Sequence, residues 1–124
     1  MKPMHNTDQI TKEIIRCAIK VSNTLGIGFL EKVYENALVL ELERAGLAVE
    51  QQKSLSVLYE GEVVGDYMAD VVVEGQVILE LKAAKAIDKI HQAQLINYLR
   101  ATGIHTGLIL NFGTPRLGIK RMVF

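Results

Sequence analysis

The stretch YMADVVVEGQVILELKA, residues 67–83, decides the fold. Two β-rich runs flank the dipeptide Glu74 and Gly75, the pattern of a tight hairpin. Within them two acids interrupt apolar sequence: Asp70 in YMADVVV and Glu80 in VILELK. The turn brings these acids side by side. Lys82, two residues beyond Glu80, lies on the same face of its strand because strand side chains alternate.

Two carboxylates that close repel each other unless a cation sits between them or one is protonated. A hard divalent ion such as magnesium is the natural occupant, since it prefers carboxylate, carbonyl and water oxygens. Lys82 would then orient an attacking water or offset charge on a phosphoryl transition state. Each residue also has a purely structural explanation. Glu80 and Lys82 can form an i, i+2 ion pair, Asp70 can hydrogen-bond at a strand end, and Glu31 can favour a helix N-terminus through the dipole.

Outward from the hairpin, the chain is helical on the N-terminal side. Asn6 or Thr7 before Asp8 starts a helix on which Ile10, Ile14, Cys17, Ala18 and Val21 recur at helical spacing, running to about Asn23. After LGIG a second helix begins near Phe29, with Leu30, Val33, Tyr34, Ala37, Leu38 and Leu42 on successive turns and Gly46 at its C-terminal end. SLSVLYEGEVVG reads as a further strand pair around Glu60 and Gly61. Beyond the deciding stretch, AIDKIHQAQLINYLRATG returns to helical period with Ile87, Ile90, Ala93, Gln94, Ile96, Asn97 and Tyr98 before Gly103. HTGLILNFG is a buried strand and GIKRMVF an edge strand. The order is helix, helix, three or four strands, helix, strand, strand, which implies an α+β architecture with helices on a mixed sheet.

A chain of 124 residues fits one domain, read as residues 1–124. The composition, 49% hydrophobic and 23% charged, excludes disorder and fibrous repeats. No apolar run approaches the roughly 20 residues of a membrane span and the N-terminus lacks the apolar core of a signal peptide, so the expected location is the cytoplasm. Cys17 is the only cysteine, which excludes an internal disulfide and a cysteine-rich zinc knuckle. Net charge is zero, which argues against coating nucleic acid by bulk charge. Local basic groups remain candidates for a nucleic-acid backbone: Lys85, Lys89 and Arg100 on or near the third helix, and Arg116, Lys120 and Arg121 in the tail. His5, His91 and His105 have no metal-ligand spacing, and GIG lacks the Gly-Lys-Ser/Thr ending of a phosphate-binding loop.

Gln94 and Tyr98, four residues apart, share a helix face. They form either a helix-surface hydrogen bond with a Tyr at the core margin, or a polar clamp at the scissile phosphate if that helix crosses the strands bearing Asp70 and Glu80.

Gly28, Glu31 and Tyr34 in GFLEKVY match a G-x-x-E-x-x-Y signature. With YENAL, YMADVVVEG, VILELKA, QLINYL, TGLILNFG and IKRMVF, the chain from about Leu25 to Val123 resembles the GxxExxY proteins of the PD-(D/E)XK nuclease superfamily. The resemblance implies a restriction-endonuclease-like core of helix, three-stranded meander, helix and strand. It also implies that Asp70, Glu80 and the Leu81 carbonyl hold magnesium or manganese, that Lys82 positions water, and that Glu31 reaches the metal directly or through water. Gln94 and Tyr98 match the Q-x-x-x-Y element of the exonuclease-like branch. Ala69 departs from the pattern, standing where the superfamily name has proline, at a position that contributes backbone shape and no ligand. The expected function is a magnesium-dependent nuclease acting on DNA, or RNA, assembled as a homodimer or with a partner subunit. The competing expectations are a non-catalytic nucleic-acid-binding or protein-interaction module on the same fold, and a structural core in which the charges merely pair.

Overall fold

The structure, a computed structural model, describes residues 6–124; His5 lies outside them. Helix α1 (Thr7–Leu25) starts from a reciprocal cap in which the Asn6 side chain accepts from the Gln9 amide at 2.8 Å and the Gln9 side chain accepts from the Asn6 amide at 3.1 Å. It buries Ile10, Ile14, Cys17, Ala18 and Val21, the residues its spacing selects, and ends two residues later than the sequence suggests. Helix α2 (Glu31–Arg44) buries Tyr34, Leu38 and Leu42.

The loop between these helices explains why α2 begins at Glu31 and not at Phe29. The Tyr34 hydroxyl donates to the Gly26 carbonyl at 2.6 Å and accepts from the Phe29 amide at 3.3 Å, while its buried ring stacks on Phe112 at 4.8 Å. Gly28 sits at φ +112°, where a side chain would be strained. The Gly and Tyr of the signature thus hold a loop that fixes where Glu31 starts its helix.

Strands β1 (Val49–Tyr59), β2 (Glu62–Val73) and β3 (Val77–Lys82) form an antiparallel meander. The sequence left three or four strands open, and the structure has three. Glu62–Val73 is continuous because Gly65 and Asp66 keep their pairing to Val57 and Ser56. Helix α3 (Lys89–Thr102), capped by Asp88, then carries the chain to β4 (Thr106–Asn111), which pairs parallel to β3, and β5 (Gly118–Val123) returns antiparallel at the far edge. The result is a five-stranded mixed sheet in the order β1-β2-β3-β4-β5.

Two apolar layers sandwich the sheet. Val71, Val73, Val77, Leu79, Leu81, Leu108 and Leu110 pack against α1 and α2. Ala69, Val72, Ile78 and Ile109 pack against Leu95 and Leu99 of α3. Helical spacing along α3 includes Ile90, which is exposed, whereas Leu95 and Leu99 make the buried face. No helix among the described residues is long and apolar enough to cross a membrane.

Tyr34→Phe keeps the ring stack and removes the hydroxyl that holds the α1–α2 loop. Urea denaturation should show a loss of about 1–2 kcal/mol, the range expected for a buried hydrogen bond and the partner it leaves unpaired.

Candidate active site

The ladder between β2 and β3 ends at Val71 opposite Leu79. One residue further, the carboxylates replace the backbone. The Asp70 amide donates to Glu80 Oε2 at 3.1 Å and the Leu81 amide donates to Asp70 Oδ2 at 2.9 Å. Each acid therefore bridges to the opposite strand's main chain, and the strands part around them. The main chain thus takes Oδ2 of Asp70 and Oε2 of Glu80.

Both carboxyls are partly buried, and their acidity reflects it. Burial first, then the charge of Asp70, push the Glu80 carboxyl up to about 7, against the opposing pull of Tyr67, the Asp70 amide and Lys82. Burial is also the main cause that raises Asp70; the Leu81 amide opposes it, the charge of Glu35 adds to it, and Lys82 and Glu31 follow with opposite signs. Glu80 and Lys82 share the α3 face of β3 with Ile78, yet no ion pair joins them among the described residues. The attraction of Lys82 for Glu80 is felt without such a contact.

The remaining sequence-selected residues fall at different distances from this pair. Glu31 is exposed in the first turn of α2, its charge felt at Asp70. Helix α3 does cross the face bearing Glu80, and Tyr98 stacks on Tyr67 with ring centroids 3.4 Å apart. The Tyr67 hydroxyl is buried beside Glu80 without completing a hydrogen bond, and burial, then the charge of Glu80, raise its pKa. Gln94, one turn before Tyr98, is exposed and makes no hydrogen bond among the described residues. Lys85 and Lys89 are exposed between β3 and the start of α3, on the chain that leaves Lys82. The tail cations do not form one patch. Arg116 is exposed before β5, Lys120 and Arg121 point to opposite faces of it, and Arg121 is held by Asp8 at 3.2 Å and by the Thr11 hydroxyl at 3.4 Å.

Four residues that sequence reasoning passed over frame the site. Glu35, only 4% exposed, lies one helical turn after Glu31 and accepts hydrogen bonds from Gln51, Gln52 and Lys32. Tyr67 lies beside Glu80. Asn111, opposite Lys82 in the parallel ladder, accepts from the Ala84 and Gly113 amides, both at 3.0 Å, and donates to the Ala84 carbonyl at 2.9 Å. That clamp fixes the chain as it leaves Lys82. Gly113 completes it, because a Cβ there would stand 2.3 Å from the Ala84 backbone. An asparagine closing an all-apolar strand was a legible signal. So was an acid at i+4 from Glu31 beside Tyr34 and Leu38.

The residues present fit a divalent ion of the magnesium type. Two adjacent carboxylates, each with one oxygen anchored to main chain, are a hard-oxygen donor pair whose mutual repulsion a cation relieves. Among the described residues no three His, Cys, Asp or Glu side chains are gathered closely enough to hold a metal. That suits an ion which keeps several waters and takes one or two carboxylates, and does not suit an all-protein cage.

An acid within one strand, facing Glu-x-Lys on the next where their pairing stops, in a helix-flanked mixed sheet, is the restriction-endonuclease-like arrangement. Residues 8–122 match the family model of the PD-(D/E)XK nuclease superfamily, and the chain belongs to it. Nucleases of this superfamily generally use divalent metal ions. A search of curated proteins finds no match. Among solved structures, the fold is shared with SSO0001 at a TM-score of 0.58 and 16% identity, over 74% of this chain and 48% of that one. The chain therefore spans about half the length of that protein. An alkaline exonuclease, LHK-Exo, from Laribacter hongkongensis aligns over 98% of this chain and 72% of its own, with a TM-score of 0.49 and 10% identity.

Two outcomes are expected. Asn111→Ala removes all three clamp bonds and should cost about 2–3 kcal/mol in urea denaturation, since it leaves three partly buried main-chain groups unpaired. A carboxyl whose folded pKa is raised binds more protons folded than unfolded, so its stabilising effect is full at low pH and lost as pH rises. For Glu80 that window runs from about 4.5 to about 7. Metal-free protein should lose stability across it in denaturation series buffered with EDTA, and Glu80→Gln should flatten the loss.

Proposed function

We propose that this chain is a metal-dependent nuclease of the GxxExxY branch, hydrolysing phosphodiester bonds of DNA in preference to RNA with magnesium or manganese. The observation that carries this reading is the crossed pair of Asp70 and Glu80 where β2 and β3 part, with Lys82 two residues along the same strand. Asp70, Glu80 and the Leu81 carbonyl would hold the ion, with Glu31 reaching it directly or through water from α2. When bound, the ion supplies Lewis acidity toward the phosphoryl group and makes water a better nucleophile.

The chain's own residues have the other tasks. Lys82 gives fixed positive charge that orients the attacking water and offsets charge developing on the phosphoryl oxygens. Tyr98, fixed by its stack on Tyr67, and Gln94, free to reach outward one turn earlier, would order the scissile phosphate or a neighbouring base. Lys85 and Lys89, on the segment leaving Lys82, would meet the nucleic-acid backbone first. Arg116 and Lys120 would extend the track, and Arg121 would join it only by leaving Asp8. So few free cations favour a homodimer or a partner subunit that lengthens the basic surface.

Cleavage of labelled single- and double-stranded DNA and RNA, with magnesium or manganese, tests this directly. Wild-type protein should cut only with metal, and Lys82→Ala or Glu80→Ala should lower the rate by at least about 100-fold while the circular dichroism stays unchanged. Binding of nucleic acid by wild type and both variants, with no metal-dependent cutting by any of them, would establish the binding module instead.

A further inference from the structure

Among the described residues, three that are not glycine have positive φ: Gln52 at 52°, Glu60 at 51° and Glu74 at 54°. Glu60 and Glu74 each precede a glycine in a tight hairpin turn, of two residues after β1 and three after β2, where a positive φ reverses the chain. Gln52 has no such reason. It lies inside β1, at the register position facing Asp70.

The side-chain alternation of both strands changes phase at this position. On β2, Tyr67 and Ala69 face α3 whereas Val71 and Val73 face α1 and α2, although all four are odd-numbered. On β1, Val49 packs on the α1–α2 side and Leu55 and Val57 on the α3 side. Two contacts confirm the inversion independently. Glu50 and Lys53, three apart and so on opposite faces of a regular strand, form an ion pair at 2.6 Å. Gln51 and Gln52, adjacent in sequence, both donate to the Glu35 carboxylate, at 2.5 and 2.9 Å.

Backbone strain inside a regular element persists only where its surroundings hold it, and such strain gathers at functional sites. Here the holder is Glu35, buried on α2 and accepting from both glutamines and from Lys32. We infer that Glu35 and Gln52 are positioning residues for the candidate active site: Glu35 anchors Gln52 in the left-handed conformation, which turns the strand pair over at Asp70 and aims its carboxylate at the Leu81 amide, where it would help to hold a divalent ion. The inference rests on the metal-dependent reading for its consequence in catalysis. The positioning itself is observable without metal.

The test uses the Leu81 amide, which donates to Asp70 Oδ2. Its hydrogen exchange in metal-free protein reports whether Asp70 is held in place, and titration with Mn2+ reports the binding site. Gln52→Val and Gln52→Gly both delete the side-chain amide, but valine resists positive φ and glycine accepts it. Gln52→Val should release Leu81 protection and weaken Mn2+ affinity about 10- to 100-fold, the usual effect of losing a group that orients a metal ligand. Gln52→Gly should keep both close to wild type. Glu35→Ala should behave as Gln52→Val, and adding Gln52→Gly to it should restore protection and affinity. If Glu35→Ala does not fold, the valine and glycine variants decide alone. Equal behaviour of those two variants, or an undisturbed Leu81 amide in Gln52→Val, would overturn the inference. A wild type that neither binds Mn2+ nor cleaves would sink the nuclease reading alone, because the amide exchange would still decide the positioning.

Discussion

Two carboxylates taking the place of backbone hydrogen bonds is the constraint on which this structure turns. Where β2 and β3 stop pairing, their amides would face a gap partly shielded from water, and an unpaired buried amide is costly. Asp70 and Glu80 satisfy those amides with side-chain oxygens, which lets the sheet open without leaving donors orphaned. The same arrangement brings two negative charges together in a half-buried place. Burial is the main cause that raises both carboxyls, the charge of Asp70 adds to it at Glu80, and a cation between them would favour their charged forms.

Much of the surrounding fold keeps this opening in place. Tyr34 pins the loop that starts α2, so Glu31 and Glu35 come to the site from one side of the sheet. Leu95 and Leu99 seat α3 on the other side, with Tyr98 against Tyr67 beside Glu80. Asn111 and Gly113 hold the chain that continues from Lys82. These contacts come from residues far apart in sequence, so the site is a property of the packed layers and of no single motif.

The match to the PD-(D/E)XK nuclease superfamily spans nearly the whole chain, while the likeness to SSO0001 covers 74% of this chain and 48% of that one. Of the basic residues in the tail, Arg121 is engaged by Asp8.

The sequence by itself determined the local features. The Glu-Gly turns, the Asn6 cap, the buried stripe of α1, the wholly buried β4 and the proximity of Asp70 to Glu80 all follow from rules that operate within a few residues or across one tight hairpin. It misjudged the exposed Ile90 because helical period alone does not say which face meets the sheet, and it left β2 divided because Gly65 and Asp66 look like a break until their partners on β1 are known. Only the tertiary structure decided that Glu35 is buried, that Gln52 takes a positive φ and that the strand faces exchange at Asp70. A glutamine held in a conformation it disfavours leaves no trace in residue pattern. The energy that holds it there belongs to hydrogen bonds from a helix 17 residues away, which exist only once the layers have packed.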